Sequence, residues 1–194
     1  MVSAVQQRTS SRVSDIAFCG LSIALMAVGA WVTVPLGPVP FTLQTFVIML
    51  AVLVLTPKQS IIAVVGYVLL GAIGVPVFAG MSGGVGSIMG ATGGFIWGFI
   101  LGAVVAAVVR TAFAKTSLAT AGGKGALAIN IVTVLLFLLV VYTCGVAQLS
   151  VVASLTIPEA LAVGVVPFLV TETAKTVAAV VIASAVNLAL GKEE

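Results

Sequence analysis

Residues 74–94 read GVPVFAGMSGGVGSIMGATGG: eight glycines and no charge, set between two long apolar runs. Glycine backbone reaches positive φ and lets other atoms come close. A solvated linker has little use for the interleaved Pro76, Val77, Phe78, Ile88 and Met89. The stretch therefore predicts a folded loop that lids or lines a pocket. What surrounds it needs lipid: hydrophobic residues make up 61% of the 194 and charged residues 7%. Mean hydropathy is +1.35, whereas soluble domains carry about 25% charge. Strand alternation of the kind a barrel needs is absent. The chain reads as an all-α integral membrane protein, a single transmembrane domain over residues 1–194.

Working outward, residues 1–14 form a polar N-terminus with Arg8 and Arg12, and Ile16 to Val34 a first span. That run exceeds the apolar core of a signal peptide. Ser14 and Asp15 suit the unpaired N–H groups of a helix start. The prolines of PLGPVP end the span. FTLQTFVIMLAVLVL (41–55), the turn TPKQ and SIIAVVGYVLLGAI (60–73) follow as two short helices. The first covers roughly 22 Å against a hydrocarbon core of about 30 Å, so the pair leaves a hollow on one side. After the glycine-rich stretch come a fourth span, Phe95 to Phe113, closed by Arg110 and Lys115, and a fifth, Ala126 to Ala147. The intervening KTSLATAGGKG fails the phosphate-loop pattern, because Leu118 and Gly125 stand where glycine and a hydroxyl are required. The segment QLSVVASLTI leads to the sixth span. There Thr156 and Glu159 form a capping box, Gly164 and Pro167 predict a break, and the membrane part begins near Val166.

Arg8, Arg12, Lys58, Arg110, Lys115, Lys124 and Lys192 all fall on one set of alternate loops and termini. Segments 35–41, 74–87 and 148–157 carry no lysine or arginine. Six spans with both termini cytoplasmic satisfy the positive-inside rule, and the glycine-rich loop and the hollow share the outer face.

Charges within a span cost roughly 2.5–3.5 kcal/mol each on insertion scales and by default mark function. Glu172 and Lys175 lie three apart in FLVTETAKTVAAVV, on one helix face. Thr42, Gln44, Ser82 and Thr92 can add hydroxyl and amide groups to the same hollow. Tyr67, Tyr142 and Asn130 read as packing residues, and Met26, Met49, Met81 and Met89 as core. Cys19 and Cys144 read as small buried hydrophobes. The chain has no histidine, so no metal and no cofactor is expected. With one intramembrane carboxylate and no serine–base arrangement, an enzyme is disfavoured. A solute-binding membrane protein that draws energy from partners leads. A self-sufficient transporter or channel, with Glu172 relaying protons and Lys175 gating, is the alternative.

VPFTLQTF (39–46), GVPVFAG (74–80), the GG at 83–84 with GATGGFIWGF (90–99), and PFLVTETAK (167–175) resemble the BioY family. The likeness runs from about residue 15 to 190. It implies six transmembrane helices, high-affinity biotin binding at the outer side of a bacterial cytoplasmic membrane, and a partner module of two cytoplasmic ATPases and one transmembrane coupling protein. The substrate contacts it suggests are Glu172, Lys175, Gln44, Thr42, Phe78, Gly83, Gly84, Thr92, Gly93 and Gly94. Phe41, Phe78 and Val77 would cover the ligand's apolar part, and backbone N–H groups around Gly83 to Gly94 its carboxylate. Two departures stand out: Ala91 replaces a usual proline, and Glu172 a usual aspartate.

In the first span Ala17, Gly20 and Ala24, with Ala27, form a small-residue ridge. The ridge suits either an internal helix contact or, as the resemblance implies, docking on the coupling protein.

Overall fold

The computed structural model of the chain describes the backbone of residues 2–116 and 123–190, and side chains from residue 12 onward. Leu118, Lys192 and the side chain of Arg8 lie outside the described residues. The helices are α1 (Val2–Trp31), α2 (Gln44–Val54), α3 (Pro57–Ala72), α4 (Val85–Met89), α5 (Gly93–Phe113), α6 (Gly123–Val152), α7 (Ile157–Gly164) and α8 (Leu169–Ala189). The strands β1 (Thr33–Val34) and β2 (Phe41–Thr42) form one antiparallel hairpin. Arg12–Trp31, Gly93–Phe113, Gly123–Val152 and Ile157–Ala189 are apolar and long enough to cross a membrane, while Gln44–Val54 and Pro57–Ala72 are apolar but shorter. The all-α class and the short pair match the sequence reading. Val170, Ile73 and Leu139 point outward, as side chains facing lipid do.

Several local expectations are corrected. Helix α1 starts at Val2, so the polar N-terminal residues continue into it and Asp15 is no helix start. Asp15 instead accepts a hydrogen bond from Gln59 Nε2 at 2.7 Å, tying α1 to the first turn of α3. Gln59 also completes a capping box with Thr56, which explains why α3 begins at Pro57. Phe41 and Thr42 are strand and not helix: Thr33 pairs with Thr42, and Val34 with Phe41. Helix α2 therefore has 11 residues, about 16 Å. Helix α6 runs on to Val152 and absorbs half of the expected connecting segment. Met26 and Met49 are fully buried, but Met81 and Met89 are exposed.

A helix this short ends inside the body, and its last carbonyls need donors. Arg110 of α5 supplies two: Nη1 donates to the carbonyl oxygens of Val52 and of Leu55. Asn187 of α8 donates to that of Leu53 at 3.2 Å. At the other end of the sixth segment Glu159 accepts from the Thr156 N–H at 2.8 Å, starting α7 as the sequence indicates. Helix α7 stops at Gly164, and a single 3₁₀ turn at Val166–Phe168, containing Pro167, redirects the chain into α8.

The close neighbour of α5 is α6. A Cβ on Gly94 would collide with the Cys144 carbonyl and Gln148, and one on Gly98 would press on the Val141 backbone. Glycine there sets the distance between two spans. The 74–92 segment is folded, as predicted, and anchored from several sides. Trp31 Nε1 donates to Pro76 O at 2.8 Å, Gly80 N to Thr33 Oγ1 at 3.1 Å, and Gly84 N, at φ +85°, to Gly71 O at 2.6 Å. Gln148 Nε2 holds the carbonyls of Ile88 and Gly90, each at 2.9 Å.

Candidate functional site

The 3₁₀ turn aims the first turns of α8 at the N-terminal end of α2, burying two charges there. Glu172 is 7% exposed and Lys175 8%. Their spacing of three on a helix brings ammonium to carboxylate, as the sequence suggests, and Lys175 Nζ donates to Glu172 Oε1. It also donates to Thr45 Oγ1 at 2.7 Å and to the Thr42 carbonyl at 3.1 Å. An ammonium has three hydrogens, and these three acceptors match them. Its charge further lies 4.9 Å from the centroid of the Phe41 ring. Thr45 gives its own hydroxyl hydrogen to Glu172 Oε1 at 3.0 Å. All this pairing reaches one carboxylate oxygen. Glu172 Oε2 is buried without a hydrogen-bond partner.

Both charges line a cavity of about 790 Å³, counting the open space at its mouth. One wall comes from the hairpin and the start of α2 (Val39 to Thr42, Gln44, Thr45). The folded loop contributes Phe78, Ala79, Ser82 and Ser87, and the start of α5 Thr92, Phe95, Ile96 and Phe99. Tyr142 of α6, with Gly164, Phe168, Glu172 and Lys175, closes it. The site thus collects at one end of the helices, where the short α2 leaves room. Five phenylalanines make it mostly apolar, with polar groups concentrated near α2 and α8.

Of the residues singled out in the sequence, Thr42, Gln44, Phe78, Thr92, Glu172 and Lys175 meet on this wall. Gly83, Gly84, Gly93 and Gly94 stand behind it. The N–H of Gly84 already donates to Gly71 and that of Gly93 to Gly90. Gly93 and Gly94 are small because α6 and the Ile88 carbonyl crowd them. The N–H groups of Gly84 and Gly93 are thus engaged within the protein, and Phe78, Ala79, Ser82 and Ser87 are what the loop places on the wall. Val77 is buried but off the wall, its carbonyl accepting from Tyr67.

Three wall features escaped the sequence reading. Thr45 links both charges, and its hydroxyl next to Gln44 and three residues after Thr42 was the available signal. Tyr142 faces the cavity and not only the core, and an apolar run gives no hint of which side it presents. The aromatic floor of Phe95, Phe99 and Phe168 reads in sequence as ordinary span. Ala17, Gly20 and Ala24 lie apart from the site on the exposed face of α1, while Ala27 is buried. A Cβ added at Gly20 would meet open space. Among the described residues no cluster of histidine, cysteine or acid forms a metal site.

Comparison with known proteins agrees with the fold. Residues 4–192 match the family model described as the BioY family. The probable biotin transporter BioY of Pyrococcus horikoshii is 37% identical over 172 residues, 89% of this chain and 95% of that protein. The biotin transporter BioY of Thermotoga maritima is 54% identical over 71 residues, 37% of this chain and 42% of that protein. A crystal structure of the S-component for biotin from an ECF-type ABC transporter superposes with a TM-score of 0.78 at 25% identity, covering 92% of this chain and 93% of that one.

Proposed function

The chain belongs to the BioY family, and from that premise we propose that it is the high-affinity biotin-binding subunit of a vitamin uptake transporter. The observation that carries this reading is Glu172 Oε2, which has no partner at hydrogen-bond distance although the Tyr142 hydroxyl faces the same carboxylate across the cavity. With the Lys175 hydrogens matched by Glu172, Thr45 and Thr42, the polar end of the cavity offers an acceptor and seeks a donor. A buried, unpaired carboxylate oxygen is costly. The ureido ring of biotin, with two N–H groups, answers it.

The same electrostatics orient the ligand. A ligand carboxylate beside Glu172 would be repelled, so the ureido ring lies against α2 and α8 and the valerate chain runs toward the 82–92 wall. There the Thr92 hydroxyl is the donor. Phe41, Phe78, Phe95 and Phe99 cover the sulfur ring and methylene chain.

Energy comes from outside the chain, through a transmembrane coupling subunit and two cytoplasmic ATPases. The exposed ridge of Ala17, Gly20 and Ala24 is the docking face, since its small residues permit close approach of another helix. All six apolar helices of the body take part in crossing a bacterial cytoplasmic membrane, with both termini inside and the cavity opening outward. A reporter after residue 194 that is active only outside the cell would contradict this orientation. The function itself is tested by thermal unfolding of the purified protein against a panel of vitamins. Biotin should raise the melting temperature and vitamins without a cyclic urea should not; stabilisation by another vitamin alone would overturn the assignment.

A further inference from the structure

Gln44 and Tyr67 form a relay that decides what Gln44 shows the ligand. Gln44, 5% exposed, lines the cavity beside Thr45. Its Nε2 lies 2.8 Å from the Tyr67 hydroxyl, and that hydroxyl lies 2.7 Å from the carbonyl oxygen of Val77 in the folded loop. Tyr67 is fully buried, and its ring meets that of Phe78, a cavity residue, edge to face at 5.6 Å.

A phenol has one hydrogen. The Val77 carbonyl is a backbone acceptor in a buried residue, with no other donor among the described residues, so the Tyr67 hydrogen goes to it. Toward Gln44, Tyr67 then has only a lone pair to offer. The amide must turn its NH₂ to Tyr67 and its oxygen away. The opposite flip would set carbonyl oxygen against phenol oxygen with no hydrogen between them. We infer that Tyr67 is a specificity-determining positioning residue: it locks Gln44 so that the cavity meets a carbonyl oxygen, a second acceptor beside Glu172 Oε2. Two acceptors on one wall select a ligand with two N–H donors and reject one in which either N–H is replaced by an acceptor.

This rests on the biotin reading, and the test separates the two. The probes are biotin and its two cyclic carbamate analogues, in each of which one ureido N–H is replaced by a ring oxygen of nearly the same size. Wild-type protein should bind both analogues at least about tenfold more weakly than biotin. In Tyr67→Phe, which keeps the ring and its packing, the amide is free to flip and donate. Discrimination against one carbamate should then fall to within a few fold, while that against its isomer, which faces Glu172, is unchanged. If Tyr67→Phe does not fold, Gln44→Met, which removes the acceptor, should relax discrimination against the same isomer. Wild-type discrimination retained against both isomers in whichever of these variants folds overturns the relay. Folded wild-type protein that fails to bind biotin overturns the functional reading instead.

Discussion

Arg110 Nη1 of α5 donates to the carbonyl oxygen of Leu55, just past the end of α2, at 2.6 Å. The same nitrogen serves Val52, so a guanidinium closes the helix whose other end carries Gln44 and Thr45. Hydrogen bonds to charged groups contribute about 1.5–3 kcal/mol, and stranded carbonyls add a cost. Arg110→Leu should lose about 2–3 kcal/mol of stability, read as a lowered melting temperature in detergent, and Arg110→Lys should lose less because its ammonium keeps a charged donor for the same carbonyls. An unchanged melting temperature in Arg110→Leu would show that the bracket is idle.

Glycines in this chain do opposite things. Gly94→Val, at the contact with Cys144 and Gln148, overpacks two spans and should destabilise by about 1–3 kcal/mol or prevent folding. Gly20→Ala, on open α1 surface, should be neutral or gain up to about 1 kcal/mol. Equal effects in the same unfolding assay would mean that one of the two environments is misassigned.

That contrast also marks what the sequence could and could not convey. Apolar run length follows from the need to cross lipid, so the long spans and the short α2 and α3 were legible, as was the Thr156–Glu159 cap. The Glu172–Lys175 pair stood out because charge in a span is rare. Thr45, Tyr142 and Gln148 did not, because a threonine, tyrosine or glutamine in an apolar helix reads the same whichever way it faces. The glycines of 83–94 are ambiguous for a related reason: close approach to a ligand and close approach to a neighbouring helix call for the same residue. The hairpin of Thr33–Val34 with Phe41–Thr42 is set by pairing across a proline turn, and no local periodicity announces a two-residue strand.

Thr45 hydrogen-bonds to both charges of the site. Thr45→Val keeps the shape, removes the hydroxyl and should weaken biotin binding by roughly tenfold. Glu172→Asp shortens the acid by one methylene and should retain binding, given the aspartate usual in the family. Titration calorimetry checks both. Full affinity in Thr45→Val would remove it from the site.

Docking is tested on the exposed side of α1. Ala24→Trp puts bulk on the ridge without touching the cavity, so it should leave biotin affinity within about twofold while abolishing co-purification with the coupling subunit and ATP-driven uptake. Uptake at wild-type rate in a folded Ala24→Trp protein would place the partner elsewhere.

The most direct measurement is a calorimetric titration of biotin into purified wild-type, Thr92→Ala and Lys175→Ala protein. Lys175→Ala strands the buried Glu172 carboxylate, an error that costs about 3–5 kcal/mol where a buried pair is broken, whereas Thr92→Ala removes a single hydroxyl. The account predicts saturable one-site binding in the wild type, a modest loss in Thr92→Ala and no measurable binding in Lys175→Ala. Unchanged biotin affinity in folded Lys175→Ala protein would contradict it.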